Sequence, residues 1–120
     1  MSHEYTLQQI VLGYPISVSV THVGKDLSLQ ILGGCSPHIG SVTVGHQEKS
    51  VPILKTILLP HHRDDVVSHR FAEVLSTTLQ KNVCVLCGIH YEEPGKDGLA
   101  AILAATEDLL QEILHREDLS

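Results

Sequence analysis

The order of hydrophobic patterns along the chain predicts an α+β fold, with a mostly antiparallel sheet of about six strands and two main helices. Apolar and polar residues alternate over the first half of the chain, and the period becomes helical after residue 64. One further short apolar run then separates two helical segments. The predicted order of elements is therefore βββββαβα, and a run of strands followed by helices favours one sheet with helices packed on it.

Five strands are predicted before the first helix. They cover residues 4–12, 16–21, 27–31, 39–45 and 51–59. The second and third alternate strictly between apolar and polar side chains, and the short segment Gly24–Asp26 between them is typical of a β-hairpin turn. Because the connections are short, we expect these strands to run antiparallel.

Two helices and a central strand are predicted in the second half. Residues 67–79 carry one apolar helical face, and Asp64 and Asp65 precede it, where an aspartate either caps a helix or suits its dipole. Residues 83–90 are apolar and β-branched, as in a buried central strand. Residues 99–114 repeat leucine and isoleucine over several turns. That stripe is wider than one small sheet face requires, so we expect a homodimer.

Length, charge and cysteine usage limit the possible functions. The 120 residues suit a single domain spanning 1–120. The net charge is −6, and the eight Lys and Arg residues are scattered, which argues against nucleic-acid binding and against an anionic membrane surface. The apolar stretches are too short to span a bilayer. Three cysteines without a signal peptide predict a reducing cytoplasm.

Nine histidines are the compositional feature that indicates a functional site. Four of them lie in three predicted loops, which are Gly33–Gly40, Leu59–Asp65 and Gly88–Tyr91. Each loop lies at the end of a predicted strand. We therefore expect the three loops to converge at one end of the sheet.

Each loop has a functional and a structural interpretation. The glycines of the first loop allow backbone N–H groups to approach an anion, or simply allow a tight interstrand turn. The second loop precedes a helix, whose N-terminus favours anions, and Arg63 could bind a phosphate. His38 could donate to a ligand, or could bond a backbone carbonyl and hold its own loop. His90 matters to a site only if it meets one of the other loops.

A histidine-based metal site is an alternative. His38, His62 and His90 together would suit zinc, nickel or iron with one open position. No two of them have the i, i+4 spacing of ligands on a helix. Cys84 and Cys87 are expected on opposite faces of their strand, as buried and inert residues.

Taken together, three segments resemble a known family. They are Gly-Gly-x-x-Pro-His-Ile-Gly-Ser-Val at 33–42, Leu-Pro-His-His-Arg-Asp-Asp at 59–65 and Gly-Ile-His-Tyr at 88–91. The chain resembles the prenylated-flavin chaperone family, which comprises small subunits of non-oxidative hydroxyarylic acid decarboxylases and is grouped with proteins similar to proteasome assembly chaperones. The resemblance covers nearly the whole chain.

The resemblance implies a non-catalytic, dimerising accessory subunit that holds prenylated FMN or FMN for a larger decarboxylase subunit. Carried over by position, the implied cofactor site comprises Gly33, Gly34, Pro37, His38, Gly40, His62, Arg63, Asp64 and His90. The chain departs from the family pattern at His61, where the family has glycine, and at Glu92-Glu93, where it often has Asp-Asn. A metal-binding protein and a pure assembly module without a cofactor remain alternatives.

Overall fold

A six-stranded sheet with two helices forms the molecule. The computed structural model describes residues 4–60 and 63–118. In chain order the elements are β1 (Glu4–Val11), β2 (Tyr14–Val23), β3 (Asp26–Gly34), β4 (Ser41–Glu48), β5 (Val51–Leu58), α1 (Asp65–Leu79), β6 (Val83–His90) and α2 (Gly95–Asp118). The predicted α+β class and the order βββββαβα are confirmed.

The sheet has the strand order β1-β2-β3-β6-β4-β5. Among these described strands, β3 and β6 pair in parallel, and the other four pairs are antiparallel. The last strand in sequence is therefore a central strand in space, as its apolar composition predicts. Although β3 and β4 are joined by a short loop, they are not neighbours, because β6 lies between them. The loop at residues 35–40 must cross the end of β6, and this crossing forms the centre of the site described below.

Both helices pack on the same face of the sheet. The buried side chains of the central strands point to that face, among them Val18, Leu29, Ile31, Val83, Val85 and Thr43. α1 covers β4, β5 and β6, whereas α2 covers β1 and β2. Leu109, Leu110 and Ile113 of α2 are buried in this core. This part of the apolar stripe is therefore buried within the chain, whereas Leu99 and Leu103 of the same stripe are exposed. The predicted homodimer stays a prediction.

The start of α1 is fixed by close packing against β4. Gly45 faces the helix backbone at Ala72, where a Cβ would lie 2.9 Å from the Ala72 carbonyl oxygen. The hydroxyl of Ser68 lies 2.9 Å from that of Ser41 and 2.8 Å from that of Thr43, and all three side chains are buried. This network satisfies polar groups that would otherwise be costly to bury. It also places the first turn of α1 beside the start of β4 and the end of β6.

The C-terminal end of α2 is anchored at the opposite end of the sheet. The hydroxyl of Tyr5 donates to Glu117 Oε2 over 2.6 Å, and His22 Nε2 lies 2.8 Å from Glu117 Oε1. Arg116 covers the Tyr5 ring, with its guanidinium carbon 5.1 Å from the ring centroid. Burial, and next the hydrogen bond to Glu117, raise the pKa of Tyr5 well above its usual range.

The face of the sheet that the helices leave uncovered, called the outer face here, has two different halves. β2 and β3 present polar residues such as Ser17, Ser19 and Gln30. β4 and β5 instead present apolar residues, including Val44 and Ile57, both of which are exposed. Within residues 4–60 and 63–118, neither helix combines the length and hydrophobicity that a membrane-spanning helix needs.

Candidate functional site

The three histidine-bearing loops meet at one end of the sheet, where β3 and β6 end and β4 and α1 begin. The backbone N–H of Cys35 donates to the His90 carbonyl over 2.9 Å, and that of Gly40 donates to the Cys87 carbonyl over 3.0 Å. The Leu59 N–H donates to the Gly40 carbonyl over 2.9 Å. The predicted convergence is confirmed for the described parts of the loops. His61 and His62 lie outside the described residues.

Glycines at this end of the sheet allow backbone segments to touch one another. A Cβ on Gly88 would collide with the carbonyl group of His38, where the β3–β4 loop crosses β6. A Cβ on Gly34 would collide with the carbonyl of His90, and the φ of +85° at Gly34 also favours glycine. The close approach made possible by these glycines is therefore an approach between parts of the chain itself, which is the structural interpretation of the glycine loop.

Asp64 is the buried centre of the site. Its side chain is 7% exposed. Oδ1 accepts the backbone N–H of Ile89 over 2.9 Å, and Oδ2 lies 2.9 Å from His38 Nε2. A Cβ on Gly40 would collide with the carboxylate, so glycine is needed there. Asp64 stands at the N-cap position of α1 but makes no side-chain cap hydrogen bond. Its carboxylate is used instead to join the three loops, so Asp64 does not provide the side-chain cap that the sequence allowed for one of the two aspartates.

His38 links the β3–β4 loop to the start of α1. Its Nδ1 lies 3.1 Å from the carbonyl oxygen of Ser36, while Nε2 faces Asp64. Both neighbours are acceptors, so a ring nitrogen that carries a proton donates to one of them. This is the loop-holding arrangement that the sequence left open. The rings of His38 and His90 stand edge to face with centroids 6.4 Å apart.

An apolar cleft of about 350 Å³ opens between the start of α1, the end of β6 and the start of α2. It is lined by Arg63, Asp64, Val66, Val67, Ile89, His90, Tyr91, Pro94, Leu99, Ile102 and Leu103. Arg63 stands at the rim with its side chain 80% exposed, and its Nε lies 3.3 Å from Asp65 Oδ1. The cleft therefore combines aliphatic walls with one guanidinium group.

Two walls of the cleft were missed by sequence reasoning. Leu99 and Leu103 were assigned to the apolar stripe of the last helix, yet both are exposed and face the cleft. Tyr91 forms a third wall that is held rigidly, because its hydroxyl donates to the Tyr14 carbonyl over 3.1 Å. Burial raises the pKa of Tyr91. The signal available in the sequence was that these leucines belong to the first turns of the helix, beside the third loop.

The predicted site residues are divided among three positions. Arg63, Asp64 and His90 line the cleft. Pro37 and His38, with Ile39, line a separate shallow depression beside Leu32 and Leu86. Gly34 faces the backbone of His90, Gly40 faces the Asp64 carboxylate, and Gly33 packs against Ile16 of the neighbouring strand. The contact between His38 and Asp64 connects the depression to the cleft.

Comparison with known proteins agrees with this architecture. The family model of the prenylated flavin chaperone LpdD-like domain matches residues 11–118. The chain is 31% identical over 107 residues to Protein LpdD of Lactiplantibacillus plantarum, and the aligned region covers 85% of this chain and 76% of that protein. A solved structure of a novel chaperone complex for yeast 20S proteasome assembly shares the fold, with a TM-score of 0.52 and 12% identity over 98% of both chains. The chain belongs to the family of LpdD-like prenylated flavin chaperone domains.

Proposed function

We propose that this chain is a non-catalytic accessory subunit that binds prenylated FMN, or FMN, and delivers it to a larger hydroxyarylic acid decarboxylase subunit. The observation that carries the proposal is the apolar cleft with Arg63 at its rim. Membership of a chaperone family supports the accessory role.

The residues of the cleft fit the chemistry of a flavin. A flat, apolar ring system requires aliphatic or aromatic walls, which Leu99, Leu103 and Tyr91 supply. A volume of about 350 Å³ lies in the range of small-molecule sites, toward its lower end. When bound, the flavin would supply the reactive ring used by the partner enzyme, while this chain would hold and orient it.

Arg63 is the proposed phosphate ligand. It lies directly before α1, whose N-terminal N–H groups favour negative charge. The pair with Asp65 is exposed, so exchanging that carboxylate for a phosphate costs less than about 1 kcal/mol. In this proposal His62, which precedes Arg63 in the sequence, belongs to the same site, and His38 acts through Asp64 by fixing the loop.

A flavin titration tests the proposal directly. Wild type is expected to bind FMN or prenylated FMN, with quenching of flavin fluorescence as the readout. Arg63→Ala should weaken binding about ten- to a hundredfold, the loss expected for one charge-assisted contact. Lys25→Ala is the matched control, because it removes an exposed positive charge from the turn between β2 and β3, at the opposite end of the sheet. Absence of flavin binding by wild type, or equal binding by a folded Arg63→Ala, would overturn the assignment.

His38→Ala tests whether the buried contact supports the same site. We expect weaker flavin binding, because the β3–β4 loop would lose its link to Asp64. Delivery is tested by mixing the flavin-loaded chain with a flavin-free decarboxylase subunit and measuring decarboxylation. A rate no higher than that with an equal amount of free cofactor would contradict delivery while leaving binding intact.

Dimerisation is also proposed, now through the apolar half of the outer face rather than through α2. A two-fold dimer places the same patch of both copies together, which suits a self-complementary apolar surface. Ile57 is 69% exposed, and Val44 and Ile39 are also exposed. Light scattering should give a dimer for wild type and a monomer for Ile57→Lys, with Gln8→Lys on β1 as the control. A wild-type monomer at micromolar concentration would refute the proposal.

A further inference from the structure

A thiol, an imidazole and a carboxylate lie together at the ends of β3 and β6, outside the contact between His38 and Asp64. The donor atoms of Cys35, His90 and Glu92 all lie within 4.8 Å of one another. His90 Nε2 is 3.0 Å from Glu92 Oε1. Cys35 Sγ lies 3.5 Å from the His90 carbonyl oxygen. We propose that these three residues bind a divalent transition metal ion of the zinc type, with a fourth position open to solvent or to an anionic ligand.

The backbone fixes two of the three ligands relative to each other. Gly34 pairs with His90 in the parallel register of β3 and β6, and the next N–H, that of Cys35, donates to the His90 carbonyl over 2.9 Å. The positive φ of Gly34 turns the chain so that Cys35 follows directly above the end of β6. The thiol and the imidazole are therefore brought together by strand pairing and not by a flexible surface loop.

The third ligand needs only a small adjustment. Tetrahedral zinc with bonds of about 2.0–2.3 Å separates its ligand atoms by about 3.3–3.6 Å. The present donor atoms lie within 4.8 Å of one another, so none exceeds that spacing by more than about 1.5 Å. Glu92 is 79% exposed and His90 is 46% exposed, so both side chains can rotate toward an ion without disturbing the core. On binding, the Cys35 thiol transfers its proton to solvent and coordinates as thiolate.

The chemistry of the donor set decides the class of metal. Thiolate and imidazole select zinc and related transition metals, whereas magnesium and calcium require oxygen ligands. Three protein ligands with an open fourth position are typical of reactive zinc sites rather than closed structural ones. His90 also lines the apolar cleft, so the open position lies at its border. The inference goes beyond flavin binding and does not depend on it.

Cobalt(II) titration of the protein is the first test, because a cobalt–thiolate bond gives a charge-transfer band in the near ultraviolet. Wild type should develop that band at one equivalent of metal. Cys35→Ser should abolish the band. Glu92→Gln should weaken metal binding at least tenfold, since even residues that only hydrogen-bond to the ligands contribute about ten- to a hundredfold to metal affinity. Cys84→Ser and Glu93→Gln are the matched controls and should bind as wild type.

Site-resolved alkylation provides a second readout that does not require a variant to fold. Cys35 and Cys84 are both half-buried, so Cys84 serves as an internal control. Zn²⁺ should protect Cys35 from a thiol reagent and leave Cys84 equally reactive. Metal bound without a thiolate band, or equal alkylation of Cys35 with and without Zn²⁺, would overturn the proposal.

Discussion

Removal of the Asp64 carboxylate should destabilise the fold as well as the site. In Asp64→Ala the partly buried N–H of Ile89 loses its acceptor, which costs about 1–3 kcal/mol. His38 loses a charge-assisted partner at 2.9 Å, which costs about another 1–3 kcal/mol. Water entering the space would recover part of this, so we expect the free energy of unfolding to fall by about 2–5 kcal/mol.

Urea denaturation at neutral pH, followed by circular dichroism, measures this loss as a shift of the midpoint with an unchanged slope. Asp108→Ala removes an exposed carboxylate from α2 and is expected to stay within about 0.5 kcal/mol of wild type. Asp64→Asn keeps an oxygen for the Ile89 N–H and should give an intermediate value, which preserves the test if the alanine variant does not fold. An Asp64→Ala midpoint equal to that of wild type would refute the view that this carboxylate joins the three loops.

Three further substitutions test contacts elsewhere in the fold. Tyr5→Phe should lower the free energy of unfolding by about 1–2 kcal/mol at neutral pH. Because burial and Glu117 raise the pKa of Tyr5 in the folded state, the stability of wild type should fall as pH rises above about 10. In a series of denaturation experiments at alkaline pH, the variant should show a shallower decline. Arg70→Ala breaks a half-exposed pair with Glu107, whose pKa is lowered chiefly by that hydrogen bond, and thermal unfolding should change by less than about 1 kcal/mol. Ser68→Ala removes the hydroxyl shared by two buried neighbours and should cost about 1–3 kcal/mol in the same assay, and no change would show that the network is dispensable.

The strands were predictable because their signal is local. Residues 16–21 and 27–31 alternate in polarity, and the structure buries their apolar members, such as Val18 and Leu29, against the helices. The position of β6 between β3 and β4 was not predictable in the same way. Strand neighbours depend on contacts between distant segments, and the short β3–β4 loop gives no local sign that it crosses another strand.

The site was predictable in its location and less so in its contacts. The three loops converge because each stands at a strand end, which the sequence indicates. The acceptor of the Ile89 N–H could not be identified, because Asp64 lies 25 residues away and its position before a helix favours a cap. The approach of Cys35 to His90 depends on the parallel register of β3 and β6, which no sequence period encodes.

One part of the site is fixed by its contacts and another part can adjust, and this difference determines what ligand binding requires of the protein. Asp64 and its partner His38 are held by partly buried contacts, and the adjacent glycines leave no room for a side chain. Arg63 and Glu92 are each about four-fifths exposed and are paired only with neighbours within two residues among the described part of the chain. Ligand binding therefore requires side-chain rotation against a prepared backbone, which keeps the ordering cost low. It follows that variants of the fixed part should lower stability and binding together, whereas variants of the adjustable part should lower binding alone.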